Sequence, residues 1–322
     1  MSKTKVLNWL QKNTMTLILV LVFAFFAWQT GGAILRPNNI TNLIAQNAYV
    51  FILATGMLLC ILTGGNIDLS VGSVVCFTGA VGALLMASGM NMWLAVVIML
   101  AIGLVIGGIQ AFCIAYLKVP PFIATLGIQT IVYGFNLIYT NAQPIGGFSQ
   151  PFKDFFNWKI LAFNDFKGFS GYILFALFFG LLFWFLYNKT THGKYMYAIG
   201  GNENAAEVSG VNVRKKLTTI YALAGVMYAF AGFLMTGKSG GASASMGVSY
   251  ELEAIAGCTI GGVSTTGGIG TVPGILVGVL VFELLKIIMQ FIGVDPNYNY
   301  IVQGLVVITA VAMDIRKYVA KK

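Results

Sequence analysis

Charged residues are scarce in this chain. Asp, Glu, Lys and Arg together make up 9% of the 322 residues, whereas about 25% is usual in a soluble globular domain. Hydrophobic residues make up 58%, and no long polar stretch interrupts them that could fold as a second domain. A soluble enzyme is therefore excluded, and we expect a single transmembrane domain over residues 1–322.

Catalytic and metal-binding signatures are also missing. The only histidine is His192, no HExxH motif occurs, and no nucleophile–base pair is apparent. The cysteines lie in apolar runs without a CxxC pair, so we interpret them as buried hydrophobic residues: Cys60, Cys76, Cys113 and Cys258. We expect a chain that is not an enzyme and that holds no metal or cofactor of its own.

One literal match to a nucleotide-binding motif needs an explanation. Gly232–Ser239 reads GFLMTGKS and satisfies G-x-x-x-x-G-K-[ST], the phosphate-binding P-loop pattern. A P-loop follows a strand and opens a helix, but residues 217–235 form a membrane-length apolar run and GGASASMG follows the match. We therefore expect no ATP hydrolysis by this chain.

Long apolar runs dominate what is present. About 20 residues at 1.5 Å rise cross a hydrocarbon core of about 30 Å. By that measure the sequence predicts an all-α membrane protein of about ten spans, the eighth too short to cross as a straight helix. The predicted spans are 15–35, 43–63, 72–90, 93–117, 122–141, 171–188, 217–237, 254–266, 272–292 and 299–313.

The basic residues test this topology, because cytoplasmic loops are rich in Lys and Arg. If both termini are cytoplasmic, thirteen of the 19 basic residues fall inside, five fall outside, and Lys286 lies within a span. Lys3, Lys5 and Lys12 then precede a retained first helix rather than a cleaved signal peptide. Orientation thus explains the net charge of +9, and we expect no nucleic-acid partner.

A basic cytoplasmic loop is predicted at residues 189–216, between two apolar runs. Within it, Asn202 is a good N-cap, Glu203 places negative charge in the first turn, and Gly210 is a suitable C-terminal stop. Ala205 and Ala206 favour helix between these caps. Such a short helix is a natural contact for a soluble partner, and an ordinary basic loop is the alternative.

Glycine-rich segments interrupt two apolar runs, and each begins with a Gly-Gly pair. They are LTGGNIDLSVGS at Leu62–Ser73 and IGGVSTTGGIGTVPG at Ile260–Gly274. Two Gly-interrupted helices in corresponding places indicate a substrate path in a transporter, with two plain loops as the alternative. The pathway candidates in these segments are Gly64, Gly65, Asn66, Asp68, Ser70, Gly261, Gly262, Ser264 and Thr265.

Ionisable residues inside the apolar runs are functional candidates by default. Asp68 is expected near the cytoplasmic interface, where its ionisation penalty is small, and capping of the next helix is its alternative role. Glu283 and Lys286 are three residues apart, so they share a helix face and can pair. The pair is a pathway candidate, and helix packing is its alternative role.

The longest predicted external segment, Ala142 to Ser170, is rich in aromatic residues. We expect these to lie on the outer membrane interface or to form a docking surface: Phe148, Phe152, Phe155, Phe156 and Trp158.

The quoted motifs resemble one family. Ala198–Val213 looks like the cytoplasmic coupling segment of permease subunits of bacterial ABC sugar importers, and Leu62–Ser73 and Tyr250–Gly274 resemble that family's other two signatures. Residues 119–136 and 291–318 are most similar to the galactose/methyl-galactoside permeases within its ribose, xylose and galactoside group. The resemblance covers nearly the whole chain.

The resemblance implies a multi-pass permease of the bacterial inner membrane that imports galactose or a methyl galactoside. The implied partners are a second copy of the chain, an ATP-binding subunit that carries the ATP–Mg, an extracytoplasmic sugar-binding protein, and membrane lipid. One departure is the Glu283/Lys286 pair, which the galactoside permeases lack. The implied coupling residues are Asn202, Glu203, Asn204, Ala205, Ala206, Glu207, Ser209 and Gly210.

Other functions stay open at the level of sequence. Broken helices and Asp68 would also suit a secondary transporter driven by an ion gradient, although the short cytoplasmic helix would then have no purpose. Ribose, xylose or a nucleoside are alternative cargoes for a permease of this kind.

Overall fold

A computed structural model describes residues 14–146, 148–163, 166–243, 245–295 and 297–319. Helices dominate the described part of the chain, which fits the apolar runs. The helices are α1 Thr14–Gln29, α2 Pro37–Leu62, α3 Val71–Ala87, α4 Met92–Ala111, α5 Pro121–Thr140, α6 Gln150–Asn157, α7 Ile173–Lys189, α8 Thr191–Gly201, α9 Glu203–Val208, α10 Val213–Ser239, α11 Tyr250–Ile260, α12 Val272–Phe291 and α13 Tyr298–Val319.

Each predicted span overlaps a helix, but fewer helices meet the length and hydropathy of a complete crossing. Within the described residues, 5 helices qualify: α2, α4 with its π-helical extension Phe112–Tyr116, α5, α10 and α12. The helices α7 and α8, bent by 70° at their junction, raise the number to 6 if they are taken as one span. The helix α11 has 11 residues, so the prediction that the eighth span cannot cross as a straight helix is confirmed.

The centre of the fold is α10, which packs against α2, α3 and α4. Close approach to α4 depends on glycine, because a Cβ on Gly103 would overlap the carbonyl oxygen of Gly225 and one on Gly107 would overlap that of Tyr221. The helix α10 also contains Gly232–Ser239 entirely within its helical turns. A P-loop needs a strand-to-helix turn, so this segment does not form one.

Residues 142–170 differ from the sequence-based expectation. The helix α6 buries Phe152 and Phe156 against Phe233 of α10, with ring centroids 6.0 and 5.2 Å apart. Phe148 is also buried, so the aromatic cluster is part of the core. The prediction of an aromatic surface is wrong for these three side chains, whereas Trp158 is 51% exposed.

The all-α expectation also needs one small correction. Strands β1, Lys159–Ile160, and β2, Phe169–Ser170, pair in an antiparallel ribbon. Three of the predicted buried cysteines are buried, and Cys113 is half-buried. Several basic residues used for the orientation lie outside the described residues: Lys3, Lys5, Lys12, Lys321 and Lys322.

Candidate functional site

The predicted short helix is present as α9. The Asn202 side-chain Oδ1 accepts the Ala205 N–H at 2.9 Å, which satisfies one of the first-turn amides. Gly210 follows the helix with φ +87°, and its N–H donates to the Glu207 carbonyl at 2.9 Å. The predicted N-cap and glycine stop are therefore confirmed.

The side chains of α9 divide into a buried and an exposed set. Ala206 is 4% exposed and packs in a small apolar cluster with Ile199 of α8 and Leu217 of α10. Ala206 thus anchors the helix inside the fold, whereas Ala205, the other alanine among the implied coupling residues, is exposed. The predicted residues on the exposed side are Asn202, Glu203, Asn204, Ala205, Glu207, Ser209 and Gly210.

The most exposed apolar side chain of this helix was not among the predicted residues. Val208 is 90% exposed, at the end of α9. An isolated exposed valine is ordinary on a surface, but here it lies with the exposed Ala205 on a helix that is anchored by the buried Ala206. The exposed fraction of its side chain identifies Val208. The hydropathy of a six-residue helix does not tell which side faces outward, so the sequence could not identify it.

The helix α8 joins α9 to the two glycine-rich segments. The Tyr197 hydroxyl donates to the Gly270 carbonyl at 2.6 Å. One turn later, Gly200 contacts the carbonyl of Leu62 and the backbone N–H of Gly268 so closely that a Cβ would overlap both. Displacement of α8 would therefore act directly on both segments.

The two glycine-rich segments also contact each other, and we call this contact the junction (residues 62–66 and 261–271). The Gly268 N–H donates to the Leu62 carbonyl at 2.9 Å. Gly65 has φ +75°, and a Cβ there would overlap the Thr265 carbonyl oxygen. A Cβ on Gly267 would lie 2.6 Å from the Gly64 Cα. The junction thus brings Gly65 and Thr265 of the predicted set together and places Gly64 against Gly267. Asn66 bonds within its own segment, Gly261 packs against Gly274, and a Cβ on Gly262 would meet open space.

A carboxylate that sequence reasoning missed fixes one side of the junction. Asp314 of α13 accepts hydrogen bonds through Oδ2 from Ser264 Oγ at 3.0 Å, Thr265 N at 2.8 Å and Thr265 Oγ1 at 3.0 Å. Asp314 lies about fifty residues along the chain from its donors, so no local spacing reveals the contact.

Asp68 and Ser70 belong to a separate, fully buried cluster. Asp68 Oδ1 accepts from Ser70 N at 2.9 Å, Ser70 Oγ at 2.7 Å and Gln110 Nε2 of α4 at 3.1 Å. The expectation of a small ionisation penalty is wrong, because Asp68 is 0% exposed. The contact to Ser70 N, just before α3 begins, agrees with the capping alternative.

The predicted ion pair is also present, with a third member. Lys286 Nζ lies 3.0 Å from Glu283 Oε1, which confirms the pairing expected from the spacing. It lies closer still, at 2.6 Å, to Glu253 Oε1 of α11, and Gln303 Nε2 of α13 donates to the same oxygen at 3.4 Å. This triad (Glu253, Glu283 and Lys286) connects α11 with α12, and Gln303 adds α13.

Known proteins match this chain over most or all of its length. The family described as "Branched-chain amino acid transport system / permease component" matches residues 39–311. No solved structure matches the chain.

Individual relatives are similar over nearly their entire length. The chain is 40% identical to the galactose/methyl galactoside import permease protein of Salmonella typhimurium, over 100% of this chain and 99% of that protein. The protein of the same name from Escherichia coli is also 40% identical over the same shares. The ribose import permease protein of Escherichia coli is 36% identical over 87% of this chain and 86% of that protein. The chain therefore belongs to this family of membrane transport permeases, and its relatives are transport components, not enzymes.

Proposed function

We propose that this chain is the membrane permease subunit of an ATP-binding-cassette importer that moves galactose or a methyl galactoside into the cytoplasm. The identity of 40% over complete chains to import permeases named for these sugars supports the cargo. Ribose is the second candidate, because a ribose import permease is 36% identical.

One observation carries the mechanism: α9 presents exposed side chains and is fixed to the junction through α8. Val208 is exposed, Ala206 anchors α9, and Tyr197 of α8 bonds Gly270 within the junction. An ATP-binding subunit that docks on α9 and moves it would displace α8, and α8 would shift the two glycine-rich segments. In this way ATP–Mg bound and hydrolysed in a separate subunit would switch the access of the pathway.

The proposal includes an architecture. About ten helices would lie in the bacterial inner membrane with both termini and α9 in the cytoplasm, and α2 with α3 and α11 with α12 would be two Gly-interrupted units. A second copy of the chain, surrounding lipid and an extracytoplasmic sugar-binding protein would complete the importer.

The docking surface can be tested with single substitutions on α9. We expect Val208→Arg and Ala205→Arg to abolish co-purification of the ATP-binding subunit and sugar uptake, while the amount of membrane-inserted permease stays unchanged. Thr191→Arg, at an exposed position of α8, is the matched control and should retain both. Co-purification in mild detergent with mass spectrometry measures the assembly.

Two results would contradict the proposal. The first is a full amount of ATP-binding subunit bound to both arginine variants. The second is uptake by the isolated chain in liposomes that depends on an ion gradient and stops with an uncoupler at constant ATP, which would indicate a secondary transporter. Competition of labelled galactose by unlabelled ribose separates the two candidate cargoes.

A further inference from the structure

A cavity of about 320 Å³ lies between α3, α5 and the start of α11. Its size falls at the lower end of the range of about 300–1,000 Å³ found for small-molecule sites. Six of its twelve lining residues carry polar side chains: Ser73, Gln129, Thr130, Tyr133, Ser249 and Glu251.

The cavity is at the depth of the middle of a span. Its lining from α5 runs from Leu126 to Tyr133, and α5 extends from Pro121 to Thr140. Since α5 is long and apolar enough to cross the membrane, these residues lie near the centre of the crossing. Polar side chains at such depth are costly unless they line a water-filled or substrate-filled space.

Glu251 is the acidic residue of the cavity lining. Its Oε2 is buried and has no hydrogen-bond partner among the described residues. The carboxylate lies beside the first turn of α3, where a Cβ on Gly72 would come within 2.8 Å of Oε2 and would overlap the Gly247 carbonyl oxygen. The absence of a side chain at Gly72 therefore leaves room for the carboxylate beside α3.

A larger groove elsewhere in the fold has the opposite chemistry. A space of about 570 Å³ between α2, α7 and α12 is lined by apolar side chains such as Phe51, Leu177 and Leu276, with Asn47 as its polar member. Such a lining suits lipid tails or a packed helix, not a hydrated molecule. Size alone would favour this groove, whereas polar side chains favour the cavity at Glu251 over it.

We propose that the cavity at Glu251 is a binding site for the sugar on its way through the membrane. The inference rests on the proposed function and names the residues that contact the cargo. Glu251 accepts hydrogen bonds from sugar hydroxyls, and these charge-assisted bonds are the strongest contacts in the site. Gln129 donates to and accepts from other hydroxyls, and the Tyr133 ring packs against the C–H groups of the sugar.

The first experiment measures uptake of labelled D-galactose by the complete importer. We expect Glu251→Gln to lower the maximal uptake rate about tenfold, with the ATP-binding subunit still bound, because the amide is a weaker acceptor and adds a donor. Asp154→Asn removes the same charge from an exposed position of α6 and should leave uptake unchanged. Wild-type uptake by Glu251→Gln would overturn the proposal.

The second experiment detects the sugar at the site without relying on activity. A thiol reagent should modify Gln129→Cys in the assembled importer, and D-galactose should slow that modification at least about threefold. Leu276→Cys, in the apolar groove, should show no protection. Mass spectrometry of the peptide that carries the new cysteine gives the rate, and unchanged modification at position 129 would overturn the proposal even if Glu251→Gln lowers uptake.

The two experiments separate this inference from the function on which it rests. A wild-type importer that does not transport galactose contradicts the proposed cargo. A wild-type importer that transports galactose, combined with no protection at position 129, contradicts only the site. If Glu251→Gln fails to assemble, the protection of Gln129→Cys decides.

Discussion

Two glutamates of α11, Glu251 and Glu253, are two residues apart and have opposite surroundings. At 3.6 residues per turn they point about 200° apart around the helix. Glu253 is 5% exposed and bonds Lys286 at 2.6 Å. The Oε2 of each glutamate lacks a hydrogen-bond partner among the described residues, but Glu251 lines a cavity, whereas the Oε1 of Glu253 bonds a cation.

The difference shows how one short helix can stabilise the fold through one side chain and bind a ligand through another. A buried carboxylate with a cation and an amide donor connects elements, and removing either partner leaves a buried charge uncompensated. A carboxylate without such partners contributes little to stability but can bind a hydroxyl that arrives from elsewhere. Substitutions on the two sides of α11 should therefore separate stability from transport.

The largest expected effect comes from removing the cation of the triad. Lys286→Met leaves Glu253 and Glu283 buried beside each other, so we expect a loss of about 3–5 kcal/mol in the free energy of unfolding. Denaturation in detergent measures it, with exposed Lys215→Met as the control. The double variant Lys286→Met/Glu283→Leu should recover part of the loss, and no recovery would contradict the pairing as the cause.

A second connecting carboxylate, Asp314, should have a smaller effect because it is only half-buried. Asp314→Ala removes the acceptor of three hydrogen bonds at the junction, and we expect a loss of about 2 kcal/mol. Limited proteolysis within residues 261–271 should also become faster. Asp314→Asn keeps one acceptor oxygen and should lie between the wild type and Asp314→Ala. Unchanged protection of 261–271 in Asp314→Ala would show that Asp314 does not hold the junction.

The smallest expected effects come from neutralising Glu253 and Glu251 in turn, which compares the two glutamates directly. Glu253→Gln should lower the free energy of unfolding by about 1–2 kcal/mol, because it weakens the bond to Lys286. Glu251→Gln should change it by less than about 0.5 kcal/mol. Equal losses for the two variants, measured by the same denaturation, would mean that Glu251 is as structural as Glu253.

The sequence alone determined the features that depend on neighbours in the chain. The apolar runs predicted where helices form, since hydropathy acts residue by residue along the chain. The caps of α9 were readable because Asn202 and Gly210 act within one turn of the helix. The Glu283/Lys286 pair was readable because three residues of spacing place both on one face.

Tertiary structure alone decided which distant groups meet. Thr265 contacts Gly65, Asp314 bonds Ser264, and Glu253 joins Lys286 across separate helices, and no periodic pattern connects these positions. Tertiary structure also decided which side chains are exposed. Ala206 is buried and Val208 is exposed, although both lie in the same six-residue helix. The physical reason is that a local sequence sets the propensity and polarity of an element, whereas the burial and pairing of a side chain depend on the elements that pack against it.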